Sequence, residues 1–252
     1  MNIAFYSGVS GLTAYQRDMD QIAHNIANVN TVGYKPSRSV FSDLLYSRMA
    51  VNSQEDFLVG HGVRVQDQDL IFRQGPVISS GSPLDFGIIG SGFFAVQQGT
   101  GDGSIQYTRN GAFDVSIEGN GVGYLVADDG AYVLGPTNQR IQLTRSADGT
   151  FNLAGLPEQI GIFQFANPFG LEPANGSRFI PTPVSGAAQR SDQNNNNNDE
   201  PPYRLVSSAL EQSAVELSDE MVMVIQSQKA FQFSARIVQT ADQVEEIINN
   251  LR

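Results

Sequence analysis

Several groups of residues in this 252-residue chain have types and spacings that chemistry could use. Gly87-Ile-Ile-Gly90-Ser-Gly92 offers a glycine-rich stretch of the kind that cradles phosphate. Its order is the reverse of the dinucleotide fingerprint, and no Lys-Ser/Thr follows it. Phe93-Phe94-Ala-Val96 then reads as a strand, where phosphate binding wants a helix N-terminus. Glycines at a strand bend are the better reading. Asp128-Asp129 juxtaposes two carboxylates, but beside Gly130 an Asp is wanted for the local hydrogen bonds of a hairpin turn. Gly99-Thr-Gly-Asp102-Gly-Ser lacks the ligand ladder and closing Glu of a calcium loop. His61 sits between Gly60 and Gly62 with no Ser or acid placed near it by any motif, and His24 lies beside an apolar helical seam as a packing or subunit-facing residue. There is no Cys, which removes thiolate chemistry, disulfides and Cys-based metal sites. Nucleophile, base and oxyanion donor do not assemble anywhere. The chain is therefore expected to have no catalytic residue, no metal and no cofactor, and not to be an enzyme.

Composition narrows the partners. The formal net charge is −11 and no basic run exists, so a phosphate-rich partner such as nucleic acid is not expected. The opening MNIAFYSGVSGLTAYQRDMD has neither a basic region nor an apolar core of signal-peptide type. No apolar run approaches the roughly 20 residues of a membrane span, so membrane insertion is not expected. The chain reads as soluble, and as cytoplasmic unless it leaves the cell by a route that needs no cleaved signal.

Both ends carry helical periodicity. Steps of three and four from Phe5 pass through Gly8, Leu12, Tyr15, Met19, Ile22, Ile26 and Val29, a seam of coiled-coil type. The C-terminal counterpart runs Leu210, Ala214, Leu217, Met221, Val224, Gln228, Phe231, Ala235 and Val238, then drifts one place to Ile237, Ala241, Val244, Ile248 and Leu251. Drift is expected when a 3.6-residue helix carries a 3.5-residue pattern. A helix from residue 206 to 250 would be roughly 65 Å long. Such a helix needs a partner helix, and the N-terminal seam is the candidate.

The middle is rich in Gly, Val, Ile, Phe and Tyr. Asn110-Gly111-Ala-Phe113, Asp129-Gly130-Ala-Tyr132 and Asp148-Gly149-Thr-Phe151 recur at a spacing of 19 residues. Such dipeptides supply the positive φ of tight hairpin turns, so a β-meander or small barrel is expected. The fold class expected is α+β: long terminal helices paired through seams of coiled-coil type, with a hairpin-rich all-β domain between them. The boundaries expected are 1–36 for the N-terminal helix, 37–74 for a linker with extended segments, 75–190 for the β domain, 191–204 for an Asn-rich polar loop and 205–252 for the C-terminal helix.

Taken together, the two ends resemble the axial proteins of the bacterial flagellum, the rod and hook family. The resemblance begins with Asn25-Ile-Ala-Asn-Val-Asn-Thr-Val-Gly-Tyr-Lys35, close to the family's helix-ending pattern; His24 stands where the family often has a second Asn. It continues in Ala209-Leu-Glu211, Ser213, Val215, Glu220-Met-Val222, Ile225, Gln228-Lys-Ala-Phe231 and Thr240-Ala-Asp242, with Ala214 where members commonly have Asn. Gly81-Ser-Pro-Leu-Asp85, Gly90-Ser-Gly-Phe-Phe94, Tyr107-Thr-Arg-Asn-Gly-Ala-Phe113 and Gly130-Ala-Tyr-Val-Leu-Gly135 extend it through the middle.

The resemblance implies a fold whose terminal helices form a coiled-coil inner domain with the β domain outside it. It also implies a structural subunit of the basal-body rod, exported unfolded through the flagellar type III apparatus and stacked helically into a hollow tube. Its partners would be further copies and other rod and hook proteins. The assembly interface expected on this basis comprises Leu12, Tyr15, Met19, Ile22, Asn25, Ile26, Asn28 and Asn30 at one end. At the other it comprises Leu210, Leu217, Met221, Val224, Gln228, Phe231 and Val238. Asn25, Asn28 and Asn30 would fix register by hydrogen bonds across helices, as a polar residue does in a coiled coil. Phe41 and Leu45 match the position of the family's export-gate element. A short hook subunit is the alternative within the family; a secreted β-domain binding module dimerised by its terminal helices is the alternative outside it.

Overall fold

The computed structural model describes residues 3–52, 55–99, 103–118, 122–143, 151, 153, 155–191 and 203–251. Helix α1 (Ile3–Ala27) is followed by strands β1 (Ser37–Asp43), β2 (Tyr46–Asn52), β3 (Glu55–Gly60) and β4 (Val63–Leu70). Next come β5 (Val77–Ser79), β6 (Phe86–Gly90), β7 (Phe93–Gln97), β8 (Ile105–Thr108), β9 (Phe113–Ile117) and β10 (Gly123–Ala127). After β11 (Tyr132–Val133) and β12 (Gln142–Leu143) stand a single helical turn α2 (Leu156–Gln159), β13 (Ile162–Gln164), β14 (Glu172–Ala174), β15 (Arg178–Ile180) and β16 (Gln189–Arg190). The chain ends with β17 (Tyr203–Ser207), β18 (Ala209–Glu211) and α3 (Leu217–Asn250). The class is α+β, with a helix at each end and strands between.

The chain divides into two compact units. One holds residues 1–27, 36–71 and 215–252; the other holds 28–35 and 72–214. In the first, α1 packs on α3, while β1 pairs antiparallel with β4 and β2 with β3. The segment expected as a linker is thus two strand pairs. Their alternation is muted because β4, VRVQDQDL, is mostly exposed after its first turn of pattern.

The second unit is built on a ten-stranded sheet with central order β12-β10-β11-β7-β8-β15-β14. That order departs from the chain order, so a simple meander does not form. β17 pairs with β6 and β18 with β5. Phe94, Ile88, Leu125 and Val133 are wholly buried, and Phe94 meets Phe113 edge-on at 5.1 Å, as aromatic quadrupoles prefer. Of the three expected hairpin turns, Asp129-Gly130 is one: Gly130 has φ 80° and donates to Ala127 O between β10 and β11. Asn110-Gly111 is not, because β8 and β9 pair with other strands. There Gly111 lets its backbone meet Phe86, whose oxygen would lie 1.8 Å from an added Cβ. Asp148-Gly149-Thr150 and most of the Asn-rich loop lie outside the described residues.

The C-terminal helix starts at Leu217, not near residue 205. Pairing of β17 with β6 and of β18 with β5 overrides the helical reading of 205–211, and Ser208 takes φ 55° between them. Asp219 and Glu220 place negative charge in the first turn of α3, where the helix dipole favours it.

Candidate assembly interface

In the helical unit the seam between α1 and α3 is made of small residues. Gly8, Gly11 and Ala14 are buried on α1; Ser227, Ser234 and Ala241 are buried on α3 at seven-residue spacing. A Cβ on Gly8 would lie 2.8 Å from Val238 Cγ2, and one on Gly11 2.9 Å from Ser234 Oγ. Small residues thus bring the helices together, and Ser227 Oγ donates to Tyr15 O at 3.3 Å. Val224, Phe231 and Val238 are half-buried beside this line.

Because the small residues take the seam, large apolar side chains are left outside. Met221, Val222, Ile225, Phe233, Ile237, Val244, Ile248 and Leu251 are all exposed. They continue down α3 at helical steps as a second apolar stripe. Large apolar side chains exposed repeatedly along one helix are candidates for an interaction face.

At the C-terminal end of α1, Asn25 is buried and joins three elements. Its amide nitrogen donates to Ser37 O at 2.9 Å and to Glu220 Oε1 at 3.2 Å, and its oxygen accepts from Ser37 N at 3.2 Å. Gln21 donates to Ser37 Oγ alongside. α1, β1 and α3 border a cavity of about 480 Å³ that includes Tyr15, Phe41, Ile71 and Met223. Ser39 Oγ and Glu220 Oε2, which belong to residues on its wall, are buried without a hydrogen-bond partner. Burial pushes the Glu220 carboxyl above its ordinary value; Asp219 and Asp18 add to the rise, and the Asn25 hydrogen bond opposes it.

The Asn25–Lys35 motif ends in the β unit. Thr31 Oγ1 donates to Asn28 Oδ1 at 3.0 Å, closing a turn just after the helix. Gly33 has φ 69° and donates to Glu211 O at 2.8 Å. A Cβ there would lie 2.6 Å from Asn110 N, so Gly is required twice over. Lys35 Nζ lies 2.6 Å from Glu211 Oε1, and Arg109 donates to Glu211 Oε2 at 3.0 Å. Gly75 N donates to the same carboxylate at 2.9 Å, and Glu211 is wholly buried. Burial lowers the Lys35 pKa, opposed by the Glu211 charge. Two cations on one buried carboxylate need this many donors to offset desolvation. Sequence reasoning quoted Lys35, Arg109 and Glu211 within motifs but gave them no role; nothing local signals that residues so far apart in the chain meet.

The expected interface residues separate into groups. Ile22 and Asn25 are buried, Leu12, Tyr15, Met19, Ile26 and Asn28 half-buried, and Asn30 exposed. Leu217, Met221 and Gln228 are exposed on α3. Leu210 is corrected: it lies in β18 opposite Ile78, in the β unit, because strand pairing captures it. Phe41 is partly exposed and packs on Tyr15 at 5.6 Å, while Leu45 is 87% exposed. Gly87, Gly90 and Gly92 run from β6 to β7, strand to strand. Asp129 pairs with buried Arg178, and His61 Nε2 lies 2.9 Å from Ser47 Oγ. Among the described residues no three His, Asp or Glu gather as metal ligands, and no helix is long and apolar enough to cross a membrane.

Three family models match the chain in order. A flagella basal body rod protein model matches residues 5–35, a flagellar hook protein FlgE/F/G D1 domain model matches 87–156, and a flagellar basal body rod FlgEFG C-terminal model matches 206–251. The chain is 34% identical to the flagellar basal-body rod protein FlgG of Agrobacterium fabrum, over 95% of each chain. It is 32% identical to FlgG of Bacillus subtilis, over 99% of this chain and 98% of that one. A flagellar hook protein FlgE of Borreliella burgdorferi is 38% identical, but over only 46% of this chain and 27% of its own. Likeness at this level along nearly the full length shows that the chain belongs to the flagellar basal-body rod protein family.

Proposed function

We propose that this chain is a structural subunit of the flagellar basal-body rod, assembling with further copies and with other rod and hook proteins. Full-length similarity to rod proteins supports the rod over the hook, since the hook relative covers less than half of the chain. The observation that carries the assembly reading is the outward apolar stripe of α3 from Met221 to Leu251. In a helical tube that stripe is covered by neighbouring copies, so α1 and α3 become a coiled-coil inner layer around a channel. Heterologous contacts that do not close on themselves build such a filament from one kind of subunit. The chain carries no catalysis in this reading; its polar clusters serve folding.

Export through the type III apparatus precedes folding, and Phe41 and Leu45 act there as a short apolar signal. Unchanged secretion of a Phe41→Ala, Leu45→Ala double variant would remove that role. The rod assignment is tested by deleting the gene and imaging the cell envelope. Cells with export machinery but truncated axial structures are expected; complete, rotating flagella in the deletion strain would sink the assignment.

A further inference from the structure

We propose that the cavity bordered by α1, β1 and α3 receives the Arg236 side chain of a second copy. This rests on the rod reading and names one subunit contact within it. The cavity, about 480 Å³ and lined by residues of the helical unit alone, is within the range of binding pockets. Tyr15, Phe41, Ile71 and Met223 give it apolar walls, suited to the stem of a long side chain. Phe41, Ile71 and Met223 are still partly exposed, so the cavity is open to an incoming group.

Two acceptors in this wall lack a donor. Ser39 Oγ and Glu220 Oε2 have no hydrogen-bond partner, in residues only 6% and 7% exposed. Asn25 already engages Glu220 Oε1 at 3.2 Å, so the second oxygen is left for an incoming donor. Asp18 stands on the same wall, and Arg38 is the one cation there; two carboxylates against one cation leave a negative balance. The upward push on the Glu220 carboxyl, led by burial, is what a buried acid shows while no cation is close. A guanidinium fits these walls best. Its N–H fork can give to more than one acceptor, and its face can lie against an aromatic ring such as Tyr15 or Phe41.

The helical unit itself supplies the complement. At a net charge of −11, stacked copies repel unless acids of one meet cations of the next. Among the described cations of this unit, Arg38 lines the cavity itself and Arg17 the pocket beside it, which shares Gln21 and Ser39. Arg64 donates to Ser42, Lys229 to Gln232, and Arg48 is engaged as well. Arg236 is exposed and makes no ion pair or hydrogen bond among the described residues. It stands in the outward stripe of α3 beside Phe233 and Ile237, 60% and 47% exposed, on the face already assigned to neighbouring copies. Arg236 and Glu220 lie about 24 Å apart along the α3 axis, too far for the side chain to reach that carboxylate in its own chain. The donor therefore comes from another copy. Stripe and cavity are different surfaces of one subunit, so the contact propagates and does not close.

Lys35 and Lys229 are the only lysines of the chain, and Lys35 is buried. Combining Lys229→Arg with Arg236→Lys therefore keeps every charge and moves the one exposed lysine amine to position 236. Basal bodies purified from cells carrying this pair are treated with a water-soluble carbodiimide, which condenses an amine with a carboxyl it touches. A ladder of linked copies is expected, with the bond mapped by peptide mass between position 236 and Asp18 or Glu220; Lys229→Arg alone should give no such bond. Basal bodies that contain the pair yet lack this bond would overturn the contact, and so would wild-type basal bodies in which Lys229 is bonded to either carboxyl. Where the pair fails to assemble, Arg236→Glu decides: loss of subunit incorporation with an unchanged melt supports the contact, and full incorporation overturns it. Absence of the wild-type chain from basal bodies would instead sink the rod reading.

Discussion

Asn25 is the residue on which the helical unit turns. Its side chain satisfies both backbone groups of Ser37 and reaches Glu220, so Asn25→Ala leaves several part-buried groups unpaired. A loss of about 1–3 kcal/mol is expected, measured by denaturant unfolding followed with a probe in that unit. Asn25→Asp should cost more, because a carboxylate cannot donate to Glu220 and repels it. Asn28 ties the turn through Thr31; we predict that Asn28→Ala leaves export intact and impairs assembly, and normal assembly would count against a register role. Glu220 makes stability depend on pH. Its carboxyl titrates above the ordinary 4.5 when folded, so between 4.5 and that raised value the native state holds more protons than the unfolded one. Stability therefore falls as pH rises through this window. Glu220→Gln should flatten the dependence in melts run from pH 4.5 to 7.5; an unchanged slope would contradict it.

The two helices meet because their contact is small, and this is where sequence reading was partly misled. Periodicity at three and four steps was legible at both ends, and it located two packed helices. It ranked faces by size of apolar side chain, however, whereas the intramolecular seam uses Gly8, Gly11, Ser227 and Ser234. Met221, an expected seam residue, consequently faces out with Ile225 and Phe233. Gly8→Leu should clash with Val238 and force α3 away from α1, costing on the order of 1–3 kcal/mol of unfolding free energy; a full-strength melt would show that the helices do not rely on close approach. Residues 205–211 were expected in the C-terminal helix, whose periodicity begins at Leu210, yet their strand partners β5 and β6 lie more than a hundred residues earlier. Long-range pairing of this kind leaves no local signal. Its keystone is Glu211: Glu211→Ala strands Lys35 and Arg109 as buried cations, and a loss of about 3–5 kcal/mol is expected. Retention of the β unit's cooperative transition in that variant would contradict the assigned role.

For the molecule as a whole, helix–strands–helix order and the family resemblance were readable because the motifs are dense at both ends. The strand pairs of 37–70 were read only as extended pieces, since polar β4 shows little alternation. The central claim is that the outward stripe of α3 is a subunit interface and not idle surface. It is tested most directly by thiol labelling of a Phe233→Cys variant, in monomer and in purified basal bodies. Phe233 is 60% exposed in the single chain, so the monomer should react freely. The account predicts strong protection once the subunit is in the rod; labelling at the monomer's rate in intact basal bodies would contradict it.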